Sequence, residues 1–342
     1  MIEIQRSAVD GVRAARKPSD LHEFLAAAMR LEHATVPLYL TAYFSLKPGA
    51  NSATADLIRS VVIEEMLHLS IVANVLNAVG GRVEIDNPAS VPYFPGPLPM
   101  GVAGDLEVHL GPMSMDQCAT FMQIEQPEDP IARGADADLT TIGDFYDAII
   151  DKIRDLGEPA FATPSAPQVT SPWFPSTQLF AVTDVTSAVR ALTIIVRQGE
   201  GTTSSPEDGD GAGELAHYYR FAEIRNGHRL IPDPTAPDGF SFTGDPVVFD
   251  ESQVYPMIMD PTTARYPVAS AARRLAEQFS LCYRRLLTSL QETFSGHPAA
   301  LNAAMGLMYE LRLMALAMAE TPDPTDPTHC VTPSWEYPTS LG

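Results

Sequence analysis

The chain has 342 residues, of which 45% are apolar, so it can bury one large core or two average ones. Its formal charge of −21 argues against a nucleic-acid surface, because phosphate binding needs clustered Lys and Arg. We find neither a run of about 18 apolar residues nor a signal-like N-terminus, and therefore expect a cytoplasmic protein without a membrane partner. The three scattered cysteines predict neither a disulfide framework nor a zinc–thiolate site.

The first two predicted helices each carry ionisable residues inside an apolar stripe. One ends near residue 46 and has Glu32 on its core-facing side. The other spans about 53–79 and places Glu65 and His68, three residues apart, in the middle of its stripe. A buried carboxylate is costly unless a positive group meets it. Because a short loop joins these helices, we expect them to be antiparallel, with Glu32 facing the Glu65/His68 pair.

Residues 81–183 form a long, Pro-rich, irregular insertion between the bundle helices. Repeated prolines and glycines exclude one long helix there. Two shorter helices are predicted inside it. One is opened by Ser114 in a capping-box pattern and ends near residue 126, and the other spans about 141–156. The insertion either covers a pocket or only packs against the outside of the bundle.

A third bundle helix is capped by Asp184 and leads at helical spacing to Glu200. A polar, glycine-rich segment follows, and then a second Glu-x-x-His pair, Glu214 and His217. This pair again shares a stripe with apolar residues, which predicts that it faces the core.

The remaining sequence completes a single predicted domain, residues 18–342. Residues 226–266 are rich in Pro, Gly and aromatic residues and predict loops. Two further helices are predicted over about 267–295 and 298–320, each with an apolar stripe.

Six side chains make up the candidate metal site: Glu32, Glu65, His68, Glu200, Glu214 and His217. Their four carboxylates carry a charge of −4, which two divalent cations would balance. Carboxylate and imidazole donors without a thiolate suit iron or manganese, with zinc as an alternative. Taken singly, each pair is also typical of a solvated helix face. Glu64 and His33 adjoin the set but lie off the best stripe, and we assign them no ligand role.

Four aromatic residues near this set could line a pocket for an aromatic substrate, although core packing is the alternative for each. They are Tyr39, Tyr43, Tyr218 and Phe221.

The strings Glu-His-Ala-Thr-Val-Pro at 32–37 and Glu-Glu-Met-Leu-His at 64–68 resemble those of a known family. It is the ferritin-like family that includes the iminophenyl-pyruvate dimer synthases of violacein and rebeccamycin-type pathways. The likeness runs from about residue 18 to 226 and implies a mainly α, ferritin-like four-helix bundle with additional C-terminal helices. It also implies two iron ions, with the family's metal residues mapping onto Glu32, Glu65, His68, Glu200 and His217, and Glu214 beside them.

One spacing departs from that pattern. Only 13 residues separate Glu200 from Glu214, whereas 32 separate Glu32 from Glu65. Either the third helix is interrupted, or one member of the second pair is not a ligand. The macrodipole at the C-terminal end of a helix also disfavours an anion at Glu200 unless a cation is bound.

The leading hypothesis is a metal-dependent, di-iron oxidoreductase of natural-product biosynthesis. It would act on a small organic substrate with O2, by oxidation or oxidative coupling of an aromatic imino or keto acid, as the resemblance implies. A homo-oligomer is compatible with it. One alternative is a ferroxidase or iron-storage protein, which the long insertion makes awkward because a cage needs short bundles. The other is a non-catalytic bundle in which the Glu and His side chains form a buried polar network.

Overall fold

The structure, a computed structural model, describes residues 6–101, 106–127, 142–170, 172–201, 205–207, 214–237 and 239–338. Within these residues the protein is mainly α-helical, as predicted. The helices are α1 (Arg6–Ala14), α2 (His22–Phe44), α3 (Ser52–Ala78), α4 (Met115–Ile124), α5 (Ile142–Leu156), α6 (Val185–Glu200), α7 (His217–Asn226), α8 (Ala271–Phe294) and α9 (Leu301–Ala319). The strands form three antiparallel pairs: β1 (Gly96–Pro97) with β2 (Glu107–Val108), β3 (Ile231–Pro232) with β4 (Phe240–Ser241), and β5 (Pro322–Asp323) with β6 (Asp326–Cys330).

Helices α2 and α3 form the centre of the fold and run antiparallel, as predicted. The His22 side chain at the start of α2 bonds the carbonyl oxygen of Val79, just after the end of α3, at 2.9 Å. By length and composition alone, α3 is the one helix of the described residues that could cross a membrane. Its apolar window is 83% buried inside the protein, which is typical of a core helix.

Two helices of the 81–183 segment belong to the core. Helix α4 packs along α7 and α5 packs along α6, while α6 and α7 both pack on α3. The two predicted caps are confirmed. The Ser114 side chain accepts the backbone N–H of Gln117, and the Asp184 side chain accepts that of Ser187. The segment therefore contributes two walls to the space around α2 and α3.

The C-terminal region lies behind α2. Helices α8 and α9 pack on each other, α8 also on α3 and α9 also on α2. The Tyr283 hydroxyl donates to Nε2 of His33 at 2.7 Å, and Nε1 of Trp335 donates to Oγ1 of Thr41 at 2.8 Å. Burial lowers the pKa of His33 to about 4, so this imidazole is neutral and its Nδ1–H donates to the carbonyl of Ser90. One face of α2 is thus fixed by residues from the far end of the sequence.

Candidate metal centre

Five buried side chains converge where α2, α3, α4 and α7 meet. They are Glu32, Glu65, His68, Glu125 and His217, and each is at most 8% exposed. They form two groups of potential ligands that share Glu65: Glu32, Glu65 and His68, and Glu65, Glu125 and His217. In each group the ligand atoms lie within 4.8 Å of one another.

Each imidazole turns Nδ1 toward the carboxylates. In the first group Nδ1 of His68 lies 3.5 Å from Oε2 of Glu32 and 3.7 Å from Oε1 of Glu65. In the second, Nδ1 of His217 lies 2.9 Å from Oε1 of Glu65 and 3.4 Å from Oε2 of Glu125. The two rings stack with centroids 5.3 Å apart. Both imidazoles therefore present the same nitrogen to one shared space.

The opposite nitrogen of each ring has a partner outside the cluster. Nε2 of His68 lies 2.9 Å from the side-chain oxygen of Gln198, and Nε2 of His217 lies 3.0 Å from Oε2 of Glu64. Both partners accept, so each ring donates its Nε2–H to them and turns Nδ1 toward the carboxylates. Metal-binding histidines are held in this way in proteins.

Each of the three carboxylates also receives a hydroxyl. Thr35 donates to Glu65 at 2.5 Å, Tyr39 donates to Glu125, and Tyr146 donates to Glu32. Burial, reinforced by these carboxylates, raises the pKa of both tyrosines well above its usual range, so both hydroxyls remain donors at neutral pH. The donors fix the carboxylate planes.

The carboxylates and imidazoles of the cluster shift one another's pKa values. Burial and the charge of Glu125 raise the pKa of Glu65. Burial acts to lower the pKa of each imidazole, but the neighbouring carboxylates outweigh it and raise the pKa of His68 and, more strongly, of His217. The cluster thus attracts positive charge, either as protons or as metal ions.

These residues could hold metal ions. Nδ1 of His217 is a buried polar atom that makes no hydrogen bond to any described residue, since its short contact with Glu65 lacks hydrogen-bond geometry. Such an atom needs a partner, and a cation between it and the carboxylates would provide one. Oxygen and imidazole donors without thiolate suit iron, manganese or zinc.

Four of the six residues predicted as ligands are brought together: Glu32, Glu65, His68 and His217. Glu214 is not among them. Its side chain is 60% exposed, and its Oε2 lies 3.6 Å from Nη2 of Arg220. The chain before α7 is extended, with Ala216 at ψ 159°, so Glu214 and His217 do not share a helical face. Glu200 ends α6, but its side chain lies outside the described part of the structure.

Glu125 was missed because we treated its segment as an insertion. The residue directly follows α4 and is 8% exposed. It lies four residues after Phe121 and seven after Cys118, both fully buried, so it continues the apolar stripe of α4. The stripe therefore predicts that Glu125 is buried, although it does not predict which helix lies beside it.

A cavity of about 40 Å³ adjoins the cluster. Its polar lining residues include Glu32, Glu65, His68 and Glu125, and its apolar ones include Ile124 and Ile195. The described lining includes none of the four aromatic residues predicted to line a pocket.

Those four aromatic residues have other contacts. Tyr39 reaches the cluster only through its hydroxyl, and its ring packs on Phe221. The guanidinium of Arg312 lies over the ring of Tyr43. Tyr218 packs edge-on against its neighbour Tyr219. Tyr39 and Phe221 are both fully buried, so these two residues pack in the core, which was the alternative for all four.

Comparison with known proteins agrees with this architecture. A ferritin-like family model matches residues 25–226, more than half of the chain. The chain is 28% identical over 293 residues to dichlorochromopyrrolate synthase of Lentzea aerocolonigenes. That match covers 72% of this chain but only 26% of the synthase, so the chain spans about a quarter of this relative. The crystal structure of a ferritin-like protein from Caulobacter vibrioides superposes with a TM-score of 0.61, at 24% identity, over 93% of this chain and 97% of the other.

The protein therefore belongs to the ferritin-like family. The resemblance to biosynthetic synthases of this family, and the ferritin-like fold it implied, are confirmed.

Proposed function

We propose that the protein is a metal-dependent oxidoreductase with two metal ions, iron in the first place and manganese or zinc as alternatives. One ion would be held by Glu32, Glu65 and His68, the other by Glu65, Glu125 and His217. The observation that carries the proposal is the buried Nδ1 of His217, which makes no hydrogen bond to a described residue and faces the carboxylates of Glu65 and Glu125. Buried polar atoms without a partner are rare in proteins and indicate an absent ligand.

When bound, a redox-active pair of ions supplies the electrons that O2 chemistry needs, or acts as a Lewis acid toward an imine or keto acid. The protein's own residues prepare the place for it. Thr35, Tyr39 and Tyr146 each hold one carboxylate by a hydroxyl, so the donors need little reorganisation when a ligand exchanges. Apolar lining residues, Ile124 and Ile195 among them, keep bulk water from the carboxylates.

The volume of the cavity indicates which reactant, O2 or the organic substrate, it can hold. About 40 Å³ is room for a molecule of the size of O2 or water, whereas pockets for organic ligands measure roughly 300–1,000 Å³. In this proposal the cavity admits the small reactant. The organic substrate, an aromatic imino or keto acid, reaches the centre only when the walls from α5 and α6 move apart. The relationship to dichlorochromopyrrolate synthase supports this substrate class.

A non-catalytic polar network is the competing proposal, and one observation favours it. His68 and His217 already contact three carboxylates without any added ion, and their raised pKa values allow them to act as imidazolium counter-charges. In that case the centre needs protons but no metal.

Metal content separates these proposals. Protein purified without chelator is analysed by plasma mass spectrometry beside Glu65→Ala and His68→Ala, with Glu214→Ala as a matched control on an exposed glutamate. We expect about two ions per chain in the wild type and in the control, and a loss in the other two variants. Folded wild-type protein that takes up no iron, manganese or zinc would leave the polar network as the explanation.

Activity is then tested with metal-loaded protein. We expect O2 consumption that depends on an aromatic keto acid and an amine source, and that is absent from Glu65→Ala. If loaded protein consumes no O2 with any indole or phenyl imino acid, the oxidative part of the proposal is wrong while metal binding stands.

A further inference from the structure

Among the described residues, the two halves of the centre are alike in their inner side chains. Each half combines the shared Glu65 with one carboxylate of its own and one imidazole Nδ1. In each half the separate carboxylate, Glu32 or Glu125, receives a buried tyrosine hydroxyl. Inner donors of equal type give no reason for the two positions to differ in affinity.

The outer partners of the imidazoles are different. Nε2 of His68 donates to Gln198, a neutral amide, at 2.9 Å. Nε2 of His217 donates to Glu64, a carboxylate, at 3.0 Å. An imidazole that donates to a carboxylate is a more basic ligand than one that donates to an amide, because the anion draws the ring hydrogen toward itself.

Glu64 is held in place as an anion. Its Oε1 lies 2.9 Å from Nη1 of Arg220, whose side chain is only 3% exposed. The same guanidinium donates to the carbonyl of Leu215 at 2.6 Å and to Oγ of Ser60 at 3.0 Å. Ser60 and Glu64 are one turn apart on α3, and His217 and Arg220 are one turn apart on α7. The network therefore connects the two helices across the outer side of the centre.

We propose that Glu64, held by Arg220, is a positioning residue that makes the Glu65/Glu125/His217 position the tighter of two metal sites. Gln198 leaves the Glu32/Glu65/His68 position the weaker and more readily exchanged one. The inference rests on the proposed function, since it presupposes that both positions bind metal. It gives Glu64 a role that its place off the apolar stripe had not suggested.

Zinc titration against a competing fluorescent chelator tests this, with the whole chain. Wild-type protein should bind two ions in distinguishable steps. Glu64→Gln keeps the shape of the side chain and removes its charge, and should weaken the tighter step by roughly 10–100-fold while leaving the weaker step unchanged. Glu214→Gln removes the other carboxylate beside Arg220 and should leave both steps as in the wild type.

Gln198→Glu is the reciprocal variant. It places a carboxylate beside Nε2 of His68 and should tighten the weaker step, so that the two stepwise constants approach each other. This arm decides the matter if Glu64→Gln does not fold, as judged by circular dichroism. A purely structural role for Glu64 predicts that both steps change equally in Glu64→Gln and that Gln198→Glu has no effect.

The outcomes separate the two proposals. Wild-type protein that binds no zinc refutes the metal centre itself. Wild-type protein that binds two ions, with Glu64→Gln unchanged or weakened equally at both steps, overturns only the role of Glu64.

Discussion

The hydrogen bond from Tyr146 to Glu32 allows a sharp test of how the centre is supported. Both residues are buried, at 0% and 5% exposure, and the Tyr146 hydroxyl donates to the Glu32 carboxylate. A hydrogen bond to a charged group is worth roughly 1.5–3 kcal/mol. We therefore expect Tyr146→Phe to lower the free energy of unfolding of the metal-free protein by about 2 kcal/mol. With an unfolding entropy of about 0.7 kcal/mol per kelvin for a chain of this length, Tm should fall by about 3 °C.

A double-mutant cycle isolates the hydrogen bond from other effects of the substitution. Reversible urea unfolding in the presence of chelator would be measured for Tyr146→Phe, Glu32→Gln and the combination. We expect a coupling energy of about 1.5 kcal/mol or more. The matched control pairs Glu32→Gln with Tyr39→Phe, a tyrosine of equal burial that donates to Glu125 instead, and should be additive within about 0.5 kcal/mol. Equal coupling in the two cycles would refute the assignment of the hydroxyl to Glu32.

Three further predictions concern other parts of the molecule. Chelation should lower Tm of metal-loaded wild-type protein by about 8 °C, since each of two ions at a hundred times its Kd contributes about 2.7 kcal/mol, and should not change Tm of Glu65→Gln. An equal shift in both proteins would show that the chelator acts elsewhere. Burial lowers the pKa of His33 from 6.5 to about 4, so the neutral imidazole stabilises the protein fully above pH 6.5, and about 3 kcal/mol of stability is lost as pH falls toward 4. His33→Gln should lose this part of the acid sensitivity in urea titrations between pH 4 and 7. An unchanged pH profile in the variant would contradict the neutral imidazole. Asp184→Ala removes the N-cap of α6 and should cost about 1 kcal/mol in the same assay, whereas Asp184→Asn should retain most of the stability.

Helical periodicity predicts which side chains reach the cluster only where the helix is continuous. Glu32, Glu65 and His68 lie on α2 and α3, which have nearly the predicted bounds, and all three reach the cluster. Glu214 does not, because α7 begins at His217 and the residues before it are extended. A three-residue spacing places two side chains on one face only if the helix already exists at the first of them.

Glu125 and Glu64 illustrate two other limits of a single sequence. Glu125 follows a short helix in a Pro-rich segment, and only the packing of α4 along α7 brings it beside His217. Glu64 lies off the stripe of α3 that faces α2, but α3 is buried on more than one side, and α7 covers this second face. Periodicity predicts that a face is buried but does not predict which distant helix covers it.

The attachment of the C-terminal region to α2 has a consequence for how the chain reaches its native state. The contacts between Thr41 and Trp335, and between His33 and Tyr283, join residues 294 and 250 positions apart. Pairings of such high contact order close late, because a long loop must be ordered before they form. During synthesis the face of α2 that α9 and Trp335 cover therefore stays uncovered until residue 335 has been made. Exposed apolar surface of this kind makes an incomplete chain prone to aggregation.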